Sequence, residues 1–168
     1  MIIKIIEVIT YKNIRCYRID GKLYPSVSAA LDLCYPESGV WVDQAAMDRG
    51  TACHAWMAKW LRDRSTKLPN DMELRDRCKR ASEWVVEQNI KTWKDPETTL
   101  FHPRLRYAGT IDLPGWTVLQ SKDVYDFKFA EELCERYEMQ VRAYLRLVAQ
   151  IGRAFLIQVQ AVGPVRAI

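Results

Sequence analysis

Short-period alternation of apolar and polar positions dominates the first 25 residues. Residues 2–9 and 14–19 are rich in β-branched side chains, and Asp20-Gly21 supplies a hairpin turn into Lys22-Leu23-Tyr24. These segments read as strands. The period then lengthens. Ser26 is placed to cap a short helix carrying Val27, Ala30, Leu31 and Leu33, which Tyr35-Pro36-Glu37-Ser38-Gly39 breaks. A second helical stretch starts near Val40, is interrupted at Gly50 and resumes over residues 51–62, with His54, Met57, Ala58 and Leu61 three and four apart. After a loop at 65–69, Asn70 and Glu73 form a capping box opening a long helix to about Trp93. Its inner stripe is Leu74, Cys78, Ala81 and Val85, and Asp95-Pro96 ends it.

Beyond Pro96 the short period returns, predicting strands over residues 98–101, 105–113 and 124–129. Residues 131–151 carry the clearest helical stripe, Leu133, Tyr137, Val141, Tyr144, Val148 and Ile151, with Gly152 as its stop. A last strand is expected over 155–162. The order ββ-ααα-βββ-α-β predicts one α/β domain over residues 1–168.

Composition narrows the functional classes. With 168 residues, 49% of them hydrophobic, the chain can bury a core unaided, and 7 Gly and 7 Pro exclude a collagenous or low-complexity protein. A balance of 25 basic to 21 acidic residues gives +4, compatible with a nucleic-acid partner without requiring one. Cys16, Cys34, Cys53, Cys78 and Cys134 are odd in number, widely spaced and never C-x-x-C, which argues for reduced thiols over a disulfide framework or zinc knuckle. The opening Met1-Ile2-Ile3-Lys4-Ile5-Ile6 is too short and interrupted for a membrane span or signal core. The expectation is a soluble, cytoplasmic protein without a membrane partner.

Chemistry concentrates in Tyr107-Ala108-Gly109-Thr110-Ile111-Asp112 and Val124-Tyr125-Asp126-Phe127-Lys128. Residues two apart on a strand share a face, so Asp126 and Lys128 point together while Phe127 faces a core. Placing a carboxylate and an ammonium side by side on an apolar strand is costly unless something uses them. A hairpin centred near Leu119 brings Asp112 opposite Asp126, with Pro114-Gly115 as a bulge or edge irregularity. Two converging carboxylates invite a divalent cation, and hard oxygen donors favour Mg²⁺ or Mn²⁺. A neighbouring lysine balances negative charge developing on a phosphodiester attacked by water.

Four ordered motifs carry a resemblance over residues 24–160: Gly50-Thr51-Ala52-Cys53-His54, Gly109-Thr110-Ile111-Asp112, Asp126-Phe127-Lys128 and Gln140-x-x-x-Tyr144. Together with Pro25-Ser26-Val27 they resemble the PD-(D/E)XK nucleases, in particular the RecB-like and phage-type exonuclease branch. The resemblance implies a restriction-endonuclease-like central mixed sheet flanked by helices, with residues 1–25 as an N-terminal β-hairpin region and 26–168 as the nuclease core. It implies His54, Asp112, Asp126 and the backbone carbonyl of Phe127 as ligands for one or two Mg²⁺ or Mn²⁺ ions, and Lys128 positioning the attacking water. Gln140 and Tyr144, one helical turn apart, would support the site and touch DNA. Glu97 matches an acidic position upstream of Gly109 in the same family. Some relatives hold an iron–sulfur cluster with three cysteines after the Gln-x-x-x-Tyr helix. None follows Cys134 here, so no cluster is expected.

The implied activity is exonucleolytic DNA processing in recombination, repair or phage replication, on single- or double-stranded ends. The implied partners are a recombinase, a single-strand-binding protein or a helicase on a separate polypeptide. A structure-specific or junction-resolving endonuclease would use the same residues, and a non-catalytic nucleic-acid-binding accessory module would keep the fold alone. Among the remaining residues, His102 reads as structural. Trp41, Trp84, Trp93 and Trp116 read as packing residues, with Trp56 and Trp60, near His54, the two flagged for base stacking. The runs Arg62/Arg64/Lys67 and Arg75/Arg77/Lys79/Arg80 read as solvated faces, whereas Arg136, Arg142 and Arg146 share the Gln140 helix and are better placed to line the approach to a metal.

Overall fold

The computed structural model describes residues 6–35, 44–116, 122–148 and 152–168. The chain begins as an antiparallel meander of β1 (Ile6–Tyr11), β2 (Ile14–Ile19) and β3 (Lys22–Pro25). Both turns have positive φ at two successive residues, Lys12-Asn13 and Asp20-Gly21, the backbone that a right-twisted two-residue hairpin demands. Ser26 then caps α1 (Val27–Cys34), its Oγ accepting from the Ala29 amide at 3.0 Å.

The next two helices differ from the expected boundaries. The stretch expected from Val40 lies outside the described residues up to 43, and α2 (Gln44–Arg62) runs unbroken through Gly50. A glycine inside a helix costs only about 1 kcal/mol, less than α2 gains by burying Cys53, Met57, Ala58, Trp60 and Leu61. The cap of α3 (Met72–Glu87) is Asp71 rather than Asn70, its Oδ1 accepting from Leu74 N at 2.9 Å. This helix stops six residues before Trp93. Asn89 takes φ 51°, its amide donates to the Val86 carbonyl and that of Ile90 to the Val85 carbonyl. This left-handed C-terminal closure turns Ile90 into the core and releases β4 (Lys91–Thr92).

A five-stranded mixed sheet, ordered β10-β9-β8-β7-β4, organises the rest. It comprises β7 (Leu113–Trp116), β8 (Asp123–Lys128), β9 (Ala154–Gln158) and β10 (Arg166–Ala167), besides β4, and only β8 and β9 run parallel. The segment expected as one strand over 105–113 is two: β6 (Tyr107–Ile111) pairs with β5 (Thr98–His102) in a separate hairpin, and β7 enters the larger sheet. Asp112 is the residue at the break. The final helix, α4 (Glu135–Leu147), starts four residues later than expected, because residues 129–134 form a strap. In it the Glu131 carbonyl accepts from Gln158 and Gln160, and its carboxylate from the Ala161 amide. Those bonds also end β9 at Gln158 rather than 162. Gly152 serves close approach rather than helix termination: a Cβ there would stand 1.8 Å from the Lys122 carbonyl oxygen.

Helices cover both faces of the sheet. Tyr125 and Phe127 face Met57, Trp60, Leu61, Ala81 and Val85 of α2 and α3. Val124 faces Val27 and Leu31 of α1 and Tyr144 and Leu147 of α4. The period-two alternation of β8 therefore aims Asp126 and Lys128 toward the α1–α4 side. All five cysteines are free thiols. Among the described residues no helix is long and apolar enough to cross a membrane.

Candidate metal centre

The site is assembled where β6 breaks into β7. The pairing of β7 with β8, Leu113 to Tyr125, Pro114 to Val124 and Gly115 to Asp123, is centred on position 119 and sets Asp112 opposite Asp126. Pro114 and Gly115 are regular ladder positions, not the bulge expected. A Cβ on Gly115 would meet the Ile90 side chain at 2.6 Å and the Tyr125 ring at 3.0 Å, so close packing accounts for this glycine.

Four parts of the chain contribute the polar groups. The Asp112 Oδ2 accepts the Phe127 amide at 2.8 Å and lies 3.2 Å from Nδ1 of His54, carried on α2. Asp126, 2% exposed, places Oδ2 2.6 Å from Nζ of Lys128. That contact is ionic and poorly aligned as a hydrogen bond, so the buried oxygen retains unused acceptor capacity. Glu97, immediately before β5, faces solvent as a residue but turns its carboxyl toward the same point. Ligand atoms of His54, Glu97 and Asp112 lie within 4.8 Å of one another. Glu97 adopts φ 58°, and its amide donates to the Asp112 carbonyl.

Electrostatics reflect this crowding. Burial, relieved in part by Lys128 and aggravated by Asp112, pushes the Asp126 carboxyl up to about 6. Burial and Asp112 raise Glu97 to about 7. For Asp112 burial acts upward, but the charge and hydrogen bond of His54, with Lys128 and the Phe127 amide, outweigh it and hold the carboxyl below its ordinary value. His54 is raised: burial opposes its charge, and Asp112 and Asp126 overcome that. Lys128 is raised by the same balance, with Asp126 and Asp112 outweighing burial. Three carboxyl groups share a small volume with one lysine and one histidine, and this crowding adds to burial in raising the proton affinity of Asp126 and Glu97. An Asp126 oxygen with acceptor capacity left beyond its ion pair with Lys128, and a donor set of mostly hard oxygens, fit a divalent cation.

Gln140 and Tyr144 support this centre from α4. Nε2 of Gln140 donates to the Tyr144 hydroxyl at 2.7 Å, and the ring of Tyr144 fills the space over Gly109, where a Cβ would come within 2.5 Å of it. Thr110 bonds to Tyr17 and Thr99. The Gly109-Thr110 pair thus fits β6 against α4 and the N-terminal sheet, delivering Asp112 to its place. A cleft of about 850 Å³ opens over Lys128 and His54, walled by Met47, Arg49 and Thr51 on α2 and by Arg136, Tyr137 and Gln140 on α4.

Other sequence-selected residues lie elsewhere or are engaged. Arg136 reaches the cleft but holds Asp32 and the Ser28 carbonyl, fastening α4 to α1. Arg142 is exposed beside Glu138. Trp56 stacks on Trp60 and gives its indole N–H to the Lys67 carbonyl, packing against the α2–α3 core rather than lining the cleft. At Phe127 the structure shows the amide, bonded to Asp112. His102 accepts from the Leu105 amide and stacks on Tyr107. Sequence reasoning passed over two residues. The ring of Tyr137 lies 5.0 Å from Nζ of Lys128, and its spacing of three from Gln140 and seven from Tyr144 already placed it on their face. Arg77, read as solvated, is buried in the cleft wall, bonded to the Val159 carbonyl, Glu73 and Glu131. No protein-family model matches the chain, and no curated protein matches it.

Proposed function

We propose that the protein is a divalent-metal-dependent DNA exonuclease of the PD-(D/E)XK type, working in the cytoplasm in recombination, repair or phage DNA processing. The observation that carries this reading is the meeting of His54, Glu97 and Asp112 beside the Asp126–Lys128 pair, from α2, the chain just before β5, the β6–β7 break and β8. A mixed sheet with helices on both faces and the Gln140–Tyr144 pair over Gly109 are in keeping with a restriction-endonuclease-like fold.

His54, Glu97, Asp112 and Asp126 would hold the cation, in keeping with Mg²⁺ or Mn²⁺. A cation held there supplies Lewis acidity toward the scissile phosphate and makes water acidic enough to attack near neutral pH. The residues do the rest. Asp112, fixed by the Phe127 amide, cannot swing away, and its charge keeps the His54 ring in place. Lys128, held protonated by Asp126 and backed by the Tyr137 ring, presents a fixed ammonium at the cleft floor. From there it orients a water and balances charge on the phosphate oxygens, as preorganised donors do in a site shielded from solvent. Arg49 and Arg136 also line the cleft, each paired with a carboxylate, Glu73 and Asp32 respectively.

The test compares end-labelled linear DNA and covalently closed circular DNA, each with Mg²⁺, Mn²⁺ or EDTA. The reading expects cation-dependent loss of linear DNA while closed circles persist. Cleavage of circles would replace it with an endonuclease, and no cleavage of either would remove the enzymatic reading.

A further inference from the structure

The β5–β6 hairpin stands on the metal centre: Glu97 precedes its first strand and Asp112 follows its second. Five paired rungs, Thr98–Ile111 through His102–Tyr107, separate that base from the tip. Residues 98–111 contain no acidic side chain, and the tip exposes Arg104, Leu105 and Arg106. The tip is built rather than loose: the Arg106 amide donates to the His102 carbonyl at 2.8 Å, the Leu105 amide to His102 Nδ1 at 3.1 Å, and Arg106 takes φ 57°. The Tyr107 hydroxyl donates to the Ala143 carbonyl of α4 at 2.9 Å, which sets exposed Arg142 and Arg146 beside the hairpin.

Among the described residues no carboxylate lies within ion-pair distance of Arg104, Arg106 or Arg146. Arg142 meets Glu138 at 3.7 Å with both side chains more than half exposed, a weak, solvent-screened pairing that a phosphate readily replaces. Arg104 and Arg106 flank an exposed leucine and Arg142 and Arg146 stand on the adjoining helix; with one marginal carboxylate among them, they complement a polyanionic backbone with apolar sugar faces.

We propose that the hairpin tip and the adjoining face of α4 form a second contact surface for a nucleic-acid strand, gripping its phosphates at a set distance from the metal centre. Five rungs at about 3.4 Å give roughly 17 Å between the metal centre and the grip. The identity of the ligand rests on the nuclease reading; the surface itself does not.

Anisotropy of a labelled single-stranded DNA of ~20 nucleotides, titrated in EDTA over a salt series, tests this without any cleavage. The double variants Arg104→Ala/Arg106→Ala and Arg142→Ala/Arg146→Ala should each weaken binding and flatten the log K against log salt slope by about 1.4, at about 0.7 per lost phosphate contact on a single strand. Arg75→Ala/Lys79→Ala, which removes the same charge from the outer face of α3, should leave the slope unchanged. Unchanged slopes in both hairpin and α4 variants, or an equal change in the α3 control, would overturn the proposal. Flattened slopes in a protein that cleaves no DNA with Mn²⁺ would uphold this surface while removing the nuclease reading.

Discussion

The carboxylate of Asp112 reaches across the β7–β8 pair to the backbone of Phe127, Oδ2 to N at 2.8 Å, while the same oxygen faces Nδ1 of His54 at 3.2 Å. One atom thus joins α2 to the sheet. Asp112→Asn keeps an oxygen for the amide but loses the charge beside the imidazole. The fold should persist, and the His54 pKa should fall, since Asp112 is the main influence raising it. Histidine titration by NMR checks this, and an unmoved His54 would show that the contact is not made in solution.

Without a cation, the site should make the protein less stable as pH rises. Asp126 moves from an unfolded value near 3.8 up to about 6, so its protonated form is favoured by folding. That contribution is complete below about pH 4 and is lost as pH rises through 6. Glu97, raised to about 7, and His54, also raised, act in the same direction over higher ranges. Asp112 is lowered, so its opposite effect is confined to pH below about 4. Thermal unfolding from pH 5 to 8 in EDTA should fall more steeply for the wild type than for Asp126→Asn. Mn²⁺ should reverse the trend, because protons and metal compete for the same oxygens. Parallel wild-type and variant curves in EDTA would refute the crowding.

Gly109 is required by packing rather than by backbone angle. A Cβ would lie 2.5 Å from the Tyr144 ring and 3.2 Å from Val27. Gly109→Ala should cost about 1–3 kcal/mol in denaturant unfolding through overpacking. It should also displace the Tyr144 ring that Gln140 holds over the site. Wild-type stability in the same unfolding measurement would contradict this.

Tyr137 should matter through Lys128. A ring face behind a partly desolvated ammonium is worth roughly 1–2 kcal/mol, so Tyr137→Leu should slow Mn²⁺-dependent cleavage about 5- to 30-fold, and Tyr137→Phe should restore most of it. Equal rates in the leucine and phenylalanine variants would assign the contact no role.

Local chemistry made much of this legible in the chain. The Asp112–Asp126 register followed from symmetry about position 119, and period-two alternation put Asp126 and Lys128 on one face. Ser26 announced its cap. What escaped depended on tertiary packing. The break at Asp112, which turns one apparent strand into two sheets, leaves apolar residues on both sides, and the nearest turn signal, Pro114-Gly115, lies within β7 rather than at the break. The early end of α3 rests on Asn89 adopting a left-handed backbone, a stop that the apolar stripe continuing through Ile90 and Trp93 obscured. Arg77 reads as a surface charge because its partners, Val159 and Glu131, lie 82 and 54 positions away. Glu97 carries the φ value that turns it toward Asp112 behind an Asp-Pro that reads only as a helix stop.

Calorimetric titration of Mn²⁺ tests most directly whether side chains scattered from 54 to 128 enclose one cation pocket. The account predicts saturable binding of one or two ions per chain, with proton release near pH 7, abolished in both Asp112→Asn and Asp126→Asn. Absence of heat with the wild type, or undiminished binding in either folded variant, would contradict it.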